Sequence, residues 1–110
     1  MNSKEYVNYI IELLSPFGSI TARAMFGGHS IYKNSVIIGL IIDDELYFKT
    51  NLTTEKNYEK YDSEPFTYDG KDKKVKMPYW KVPIEIMEDQ DLLQIWLDKA
   101  YEVSINSKKK

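Results

Sequence analysis

Seven residues, Val36-Ile37-Ile38-Gly39-Leu40-Ile41-Ile42, constrain this chain more than any others. Isoleucine and valine lose side-chain freedom in a helix and pack well on a pleated surface. A run apolar at successive positions needs cover on both faces, which is the pattern of a strand in the middle of a sheet. Asn34-Ser35 before it and Asp43-Asp44 after it are turn pairs, and Leu46 to Thr50 returns as a hairpin partner. Upstream, Ile20 to Phe26 and His29 to Lys33 are also extended. Between them Gly27-Gly28 reads as a bulge, a turn or a point of close backbone approach, with a bend-forming bulge favoured. Three or four strands joined by short turns make an antiparallel meander and not a wound βαβ unit.

Helices flank this meander. Tyr6, Ile10, Leu13 and Leu14, widened by Val7 and Ile11, form a helical stripe that Ser3 can cap and that Pro16 and Gly18 end. Thr53 or Thr54 can cap a short second helix reaching Tyr61. Ser63-Glu64-Pro65 breaks the chain. Phe66-Thr67-Tyr68 and Val75-Lys76-Met77 then form a hairpin around Asp69-Gly70. Pro78 cannot donate to a ladder, so the strand at Val75–Met77 is expected to lie at a sheet edge or to end there. Pro83 to Met87 reads as a single helical turn. Asp89 should cap a last helix whose stripe is Leu93, Trp96, Leu97, Ala100 and Val103. The expectation is an α+β domain over residues 1–104, ordered α-β(3–4)-α-β(2)-α. Its antiparallel sheet has five or six strands with the helices mainly on one face, and a flexible lysine tail follows at 105–110.

Composition excludes several chemistries. With no cysteine there can be no disulfide, thiolate metal site or cysteine nucleophile, a usage that fits a reducing cytoplasm. The N-terminus turns polar too soon for a signal peptide, and Val36–Ile42 is too short to span a bilayer. A net charge of −2 lacks the basic excess of a general nucleic-acid binder. Lone His29 has no second histidine or marked serine beside it, so it reads as an ordinary half-exposed strand residue. Gly27-Gly28 matches neither a Walker loop nor a dinucleotide loop. The acids at Asp43–Glu45 and Glu88–Asp91 fall at a turn and a helix start, where acids belong for structural reasons. No catalytic, metal or cofactor set is expected, and no small-molecule substrate.

Two stretches remain. Lys71, Lys73, Lys74, Lys76 and Lys81 lie beside Tyr68, Tyr79 and Trp80, an interleaving that can hold a nucleic-acid backbone and stack bases. The plainer reading is a solvated hairpin tip. Met77-Pro78-Tyr79-Trp80-Lys81-Val82-Pro83 sets two large rings between prolines. The rings either cover the sheet edge or last helix, or present an interaction surface.

Taken in order, Ala22-Arg23-Ala24-Met25-Phe26-Gly27-Gly28, Leu46-Tyr47-Phe48-Lys49, Ser63-Glu64-Pro65-Phe66-Thr67-Tyr68 and Met77–Pro83 closely resemble the N-terminal domain of the TfoX/Sxy family, over about Ser3 to Tyr101. Those proteins are bacterial regulators associated with natural competence for DNA uptake. Full-length members carry a second, helical domain, so the 110 residues read as a stand-alone N-terminal domain. The resemblance implies an α+β fold and a regulator that acts through other proteins, not an enzyme. It points to Arg23, Met25, Phe26, Gly27, Gly28, Tyr79 and Trp80 as the candidate interaction surface, for a protein partner or a homodimer in the cytoplasm. The alternatives are a nucleic-acid module using Arg23 and the five lysines, and an enzyme with a deep polar pocket around Arg23, His29 and the glycine pair.

Overall fold

A computed structural model describes residues 4–25 and 27–108. The Ser3 cap, Phe26 and the last two lysines lie outside the described residues. Helix α1 (Lys4–Leu14) runs into a 3-10 turn at Ser15–Phe17. Strands β1 (Ile20–Met25), β2 (Gly28–Lys33), β3 (Val36–Ile42) and β4 (Glu45–Lys49) follow. Helix α2 (Glu55–Glu59) leads to β5 (Pro65–Asp69) and β6 (Lys74–Lys81), and α3 (Ile84–Met87) and α4 (Gln90–Lys108) close the domain. The strands form one antiparallel sheet in the order β1-β2-β3-β4-β6-β5. The expected fold class is therefore observed.

Turn chemistry sets the registers. Asn34 and Ser35 have φ of 50° and 69°, and Asp43 and Asp44 have 50° and 58°. Paired left-handed residues in two-residue turns match the right-handed twist of the strands they join. Gly27, at φ 83°, lies between the end of β1 and the start of β2. Gly27 is thus in a hairpin turn and Gly28 opens β2 opposite Met25, where a bulge was favoured from sequence. The irregularity sits further along, between Ile31 and Tyr32. Gly39 is demanded by proximity: a Cβ there would lie 2.1 Å from the Tyr47 carbonyl oxygen on β4.

One core joins all four helices to one face of the sheet. Val7, Ile10 and Leu14 of α1, Tyr58 of α2, Ile86 of α3 and Leu93, Trp96, Leu97 and Ala100 of α4 pack with Ile31, Ile38, Ile41, Leu46, Phe48 and Trp80. Tyr58 and Tyr61 meet Trp96 edge-on, at ring distances of 4.5 and 5.5 Å. Asp89 caps α4 as expected, its Oδ1 accepting from Leu92 N–H at 3.1 Å.

Three expectations need correction. β6 neither lies at an edge nor ends at Pro78; β4 and β5 flank it and it runs on to Lys81. The Pro78 carbonyl accepts from Thr50 N–H just beyond Lys49, the last residue of β4, so the absent proline donor falls where that ladder has run out. The edge belongs to β5. The residue that holds the start of α2 is Asn51, whose Oδ1 accepts from both Thr53 and Thr54 N–H. Thr54 Oγ1 accepts from Asn51 N–H in return. Finally, α4 stays helical through Lys108, beyond the expected boundary at 104.

Candidate functional site

Side chains alternate along each strand, so the register divides the sequence candidates between two faces. Arg23 is opposite Ser30, and Ala24 is opposite His29. Arg23 and Ser30 therefore share the face without helices, while His29 shares the helix-bearing face with Ile31. Ser30 Oγ donates to the Arg23 carbonyl at 3.5 Å, which ties β1 to β2 on the helix-free side, and can accept from the Tyr32 hydroxyl at 3.1 Å. A depression of about 310 Å³ there is lined by Thr21, Arg23, Tyr32 and Ser35. Neither His29 nor the glycine pair lines it. The polar constellation imagined around Arg23, His29 and Gly27-Gly28 is not brought together.

Tyr79 and Trp80 are separated in the same way. Trp80 pairs with Phe48, is 5% exposed and belongs to the core. Its large ring packs beside Tyr58 of α2, with ring centres 6.2 Å apart, on the helix-bearing face. Tyr79 is 7% exposed but lies outside that core, on the helix-free face beneath Lys49, whose Nζ is 5.8 Å from its ring centre. Of the other candidates, Arg23, Met25 and Gly27 are exposed, Gly28 is buried, and Phe26 is outside the described residues.

The five lysines do not share a surface. Lys76 turns to the helix side, with its Nζ 3.8 Å from Glu55 and 5.4 Å from the Trp80 ring centre. Lys81 lies opposite Tyr47 on the other face and is held by Glu45 at 2.6 Å. Lys71 and Lys73 are exposed in the β5–β6 turn, and Lys74 opens β6.

The register assembles a different site, of which the candidate interaction surface read from sequence held only Tyr79. On the helix-free face the strands present Tyr32 from β2, Leu40 from β3, Tyr47 from β4, Phe66 and Tyr68 from β5, and Tyr79 from β6. Tyr47 and Phe66 meet edge-on at 5.6 Å. Burial holds the Tyr79 phenol above its usual pKa, and the nearby Tyr32 phenol adds to the effect. Burial also raises Tyr47 to about 12, helped by Glu45 and Glu64. Most of these rings are half-buried among themselves, and Tyr68 is 47% exposed. The signal was present in the doubly apolar run Val36–Ile42: its outward residues Ile37 and Leu40 have no helix above them.

A second cleft of about 310 Å³ is lined by Tyr6 and Tyr9 of α1, Asp44 of the β3–β4 turn, Glu45 of β4, and Lys81, Val82, Ile84 and Met87. Burial pushes the Tyr6 phenol up to about 12, with further contributions from Tyr9, Asp44 and Glu45. Among the described residues no helix is long and apolar enough to cross a membrane.

An open antiparallel sheet with helices on one face and aromatic residues on the other defines an α+β domain. The TfoX N-terminal domain family matches residues 12–104, and the chain belongs to it. No match is found among curated proteins.

Proposed function

We propose that this chain is a non-enzymatic regulatory domain that works by protein contact, and that its contact surface is the helix-free face of the sheet. The observation that carries this reading is that the central strand β3 is apolar on both faces while helices cover only one. Leu40 and Ile37 then lie under a layer of tyrosines and Phe66. Half-buried tyrosines over an apolar floor are what protein interfaces favour, because each ring contributes area at small entropic cost while its hydroxyl remains satisfied by water or partner. Family membership supports a domain of this type. A cytoplasmic setting agrees with the lack of cysteine. The division of the lysines between faces argues against the nucleic-acid alternative.

Site-specific photocrosslinking in cells tests the reading. Benzoylphenylalanine in place of Tyr68 should yield a discrete protein adduct, and the same group in place of Gln94, exposed on α4, should not. Equal adducts from both positions, or none from position 68, would refute it.

A further inference from the structure

A sheet of this kind has two edges, and they are built differently. β5 begins at Pro65, ends at Asp69 and is followed by the charged turn Lys71-Asp72-Lys73-Lys74. Proline and charge at an edge prevent other strands from adding to it. β1, Ile20-Thr21-Ala22-Arg23-Ala24-Met25, has no proline, a single charge and two alanines, and its residues from Arg23 onward are exposed.

The ladder shows which backbone groups of β1 are unused by β2. Asn34 N–H donates to the Ser19 carbonyl at 2.8 Å. Hydrogen-bonded and non-hydrogen-bonded pairs alternate along an antiparallel ladder. Thr21, Arg23 and Met25 therefore direct their N–H and C=O groups toward β2. Ile20, Ala22 and Ala24 direct theirs away from the sheet.

We infer that β1 is a homodimerisation edge, on which a second copy of this chain adds its own β1 antiparallel about a two-fold axis at Ala22. That register sets Ala22 against Ala22 and each Ile20 against the other copy's Ala24. These three pairs use the outward groups and exchange about six backbone hydrogen bonds. Arg23 of each copy falls opposite the other's Thr21. Moving the axis one residue, to Arg23, would instead place the two like charges directly opposite, which is unfavourable. Small alanines at the centre let the strands approach without rearrangement. Ile20 and Ala22 already pack at the margin of the core on the helix side, so the core becomes continuous across the axis. The product is one twelve-stranded sheet (two copies of the six-stranded sheet) whose helix-free faces lie on the same side. Two contact surfaces for one partner would then be presented together, although the edge pairing does not depend on the proposed function of that face.

Sedimentation equilibrium over a concentration series provides the test. The native chain should be a dimer whose mass is insensitive to moderate salt. Ala22→Pro removes an outward N–H that the monomer does not use, and should give a folded monomer by circular dichroism. Should that variant misfold, the register can be read from Thr21 on the open face. Thr21→Glu, opposite Arg23, should tighten the dimer about tenfold, and Thr21→Arg should loosen it about as much, because each change acts twice across the axis. A native chain that stays monomeric at high concentration would overturn the proposal. So would a dimer indifferent to both Thr21 changes. A dimer abolished by Tyr47→Ser with Phe66→Ser and untouched at Thr21 would place self-association on the helix-free face and overturn the edge. Crosslinking from Tyr68 reports on that face separately.

Discussion

Tyr79 and Trp80 are neighbours in sequence whose rings lie on opposite faces of one sheet, Trp80 against the helices and Tyr79 against Lys49 and the helix-free side. A dipeptide that looks like one aromatic patch is thus divided between stability and surface. Period-two alternation in β6 is the whole cause.

Trp80 should therefore act on stability. Trp80→Ala is expected to cost about 3–5 kcal/mol in urea unfolding, because a large ring is removed from a core that cannot close around the cavity. Trp80 Nε1 is buried with no hydrogen-bond partner among the described residues. Trp80→Phe should therefore lose packing only and cost clearly less. Equal losses for the two variants would show that the indole nitrogen matters.

Gly39→Ala places a methyl group against the Tyr47 carbonyl. Neither strand can retreat, since β3 and β4 are both interior. A loss of about 3 kcal/mol is expected, toward the upper end of overpacking costs, and the same denaturation experiment would report it. A change below about 0.5 kcal/mol would mean that β3 and β4 separate more easily than their register implies.

Alkaline pH should destabilise the fold through its tyrosines. Tyr6 and Tyr47 are raised to about 12 from an ordinary value of 10.0. In this interval the unfolded chain has released phenolic protons that the folded chain still holds. The stabilisation is complete below about pH 10 and is lost as pH rises from 10 through 12. Thermal midpoints measured at pH 9 and pH 11.5 should fall. Replacing Tyr6 and Tyr47 with phenylalanine should reduce that fall, and an unchanged fall would assign it to the other buried phenols, Tyr58 and Tyr79, which burial also raises.

Asn51→Ala should cost about 1 kcal/mol, because Asn51 Oδ1 satisfies two amides ahead of α2. Thr53→Ala should be close to neutral, since only the Thr53 backbone N–H takes part. Paired thermal melts of the two variants would separate them, and the reverse order would return the cap to Thr53.

Much of this fold was legible locally. The stripes of α1 and α4, the turn pairs Asn34-Ser35 and Asp43-Asp44 and the Asp89 cap are short-range signals. Each rests on periodicity or on one side chain bonding its own backbone, so no distant partner is needed to read it. The family pattern was legible as well, because it is carried by residue order. Strand adjacency was not. That β6 inserts between β4 and β5 depends on pairing Tyr47, Phe48 and Lys49 with residues some thirty positions away, and Pro78 alone suggested an edge.

The candidate residues are divided between the two faces for a related reason. Grouping Arg23 with His29, Tyr79 with Trp80, or Lys76 with Lys81 treats nearness along the chain as nearness in space. In an extended chain, neighbours point apart. The composition and local patterning of these residues settle that a two-layer α+β domain forms and which segments are helical. Which face stays free of helices, and which tyrosines meet on it, is settled only when four helices choose one side of the sheet. Burial of a shared core makes that choice, and no single segment encodes it.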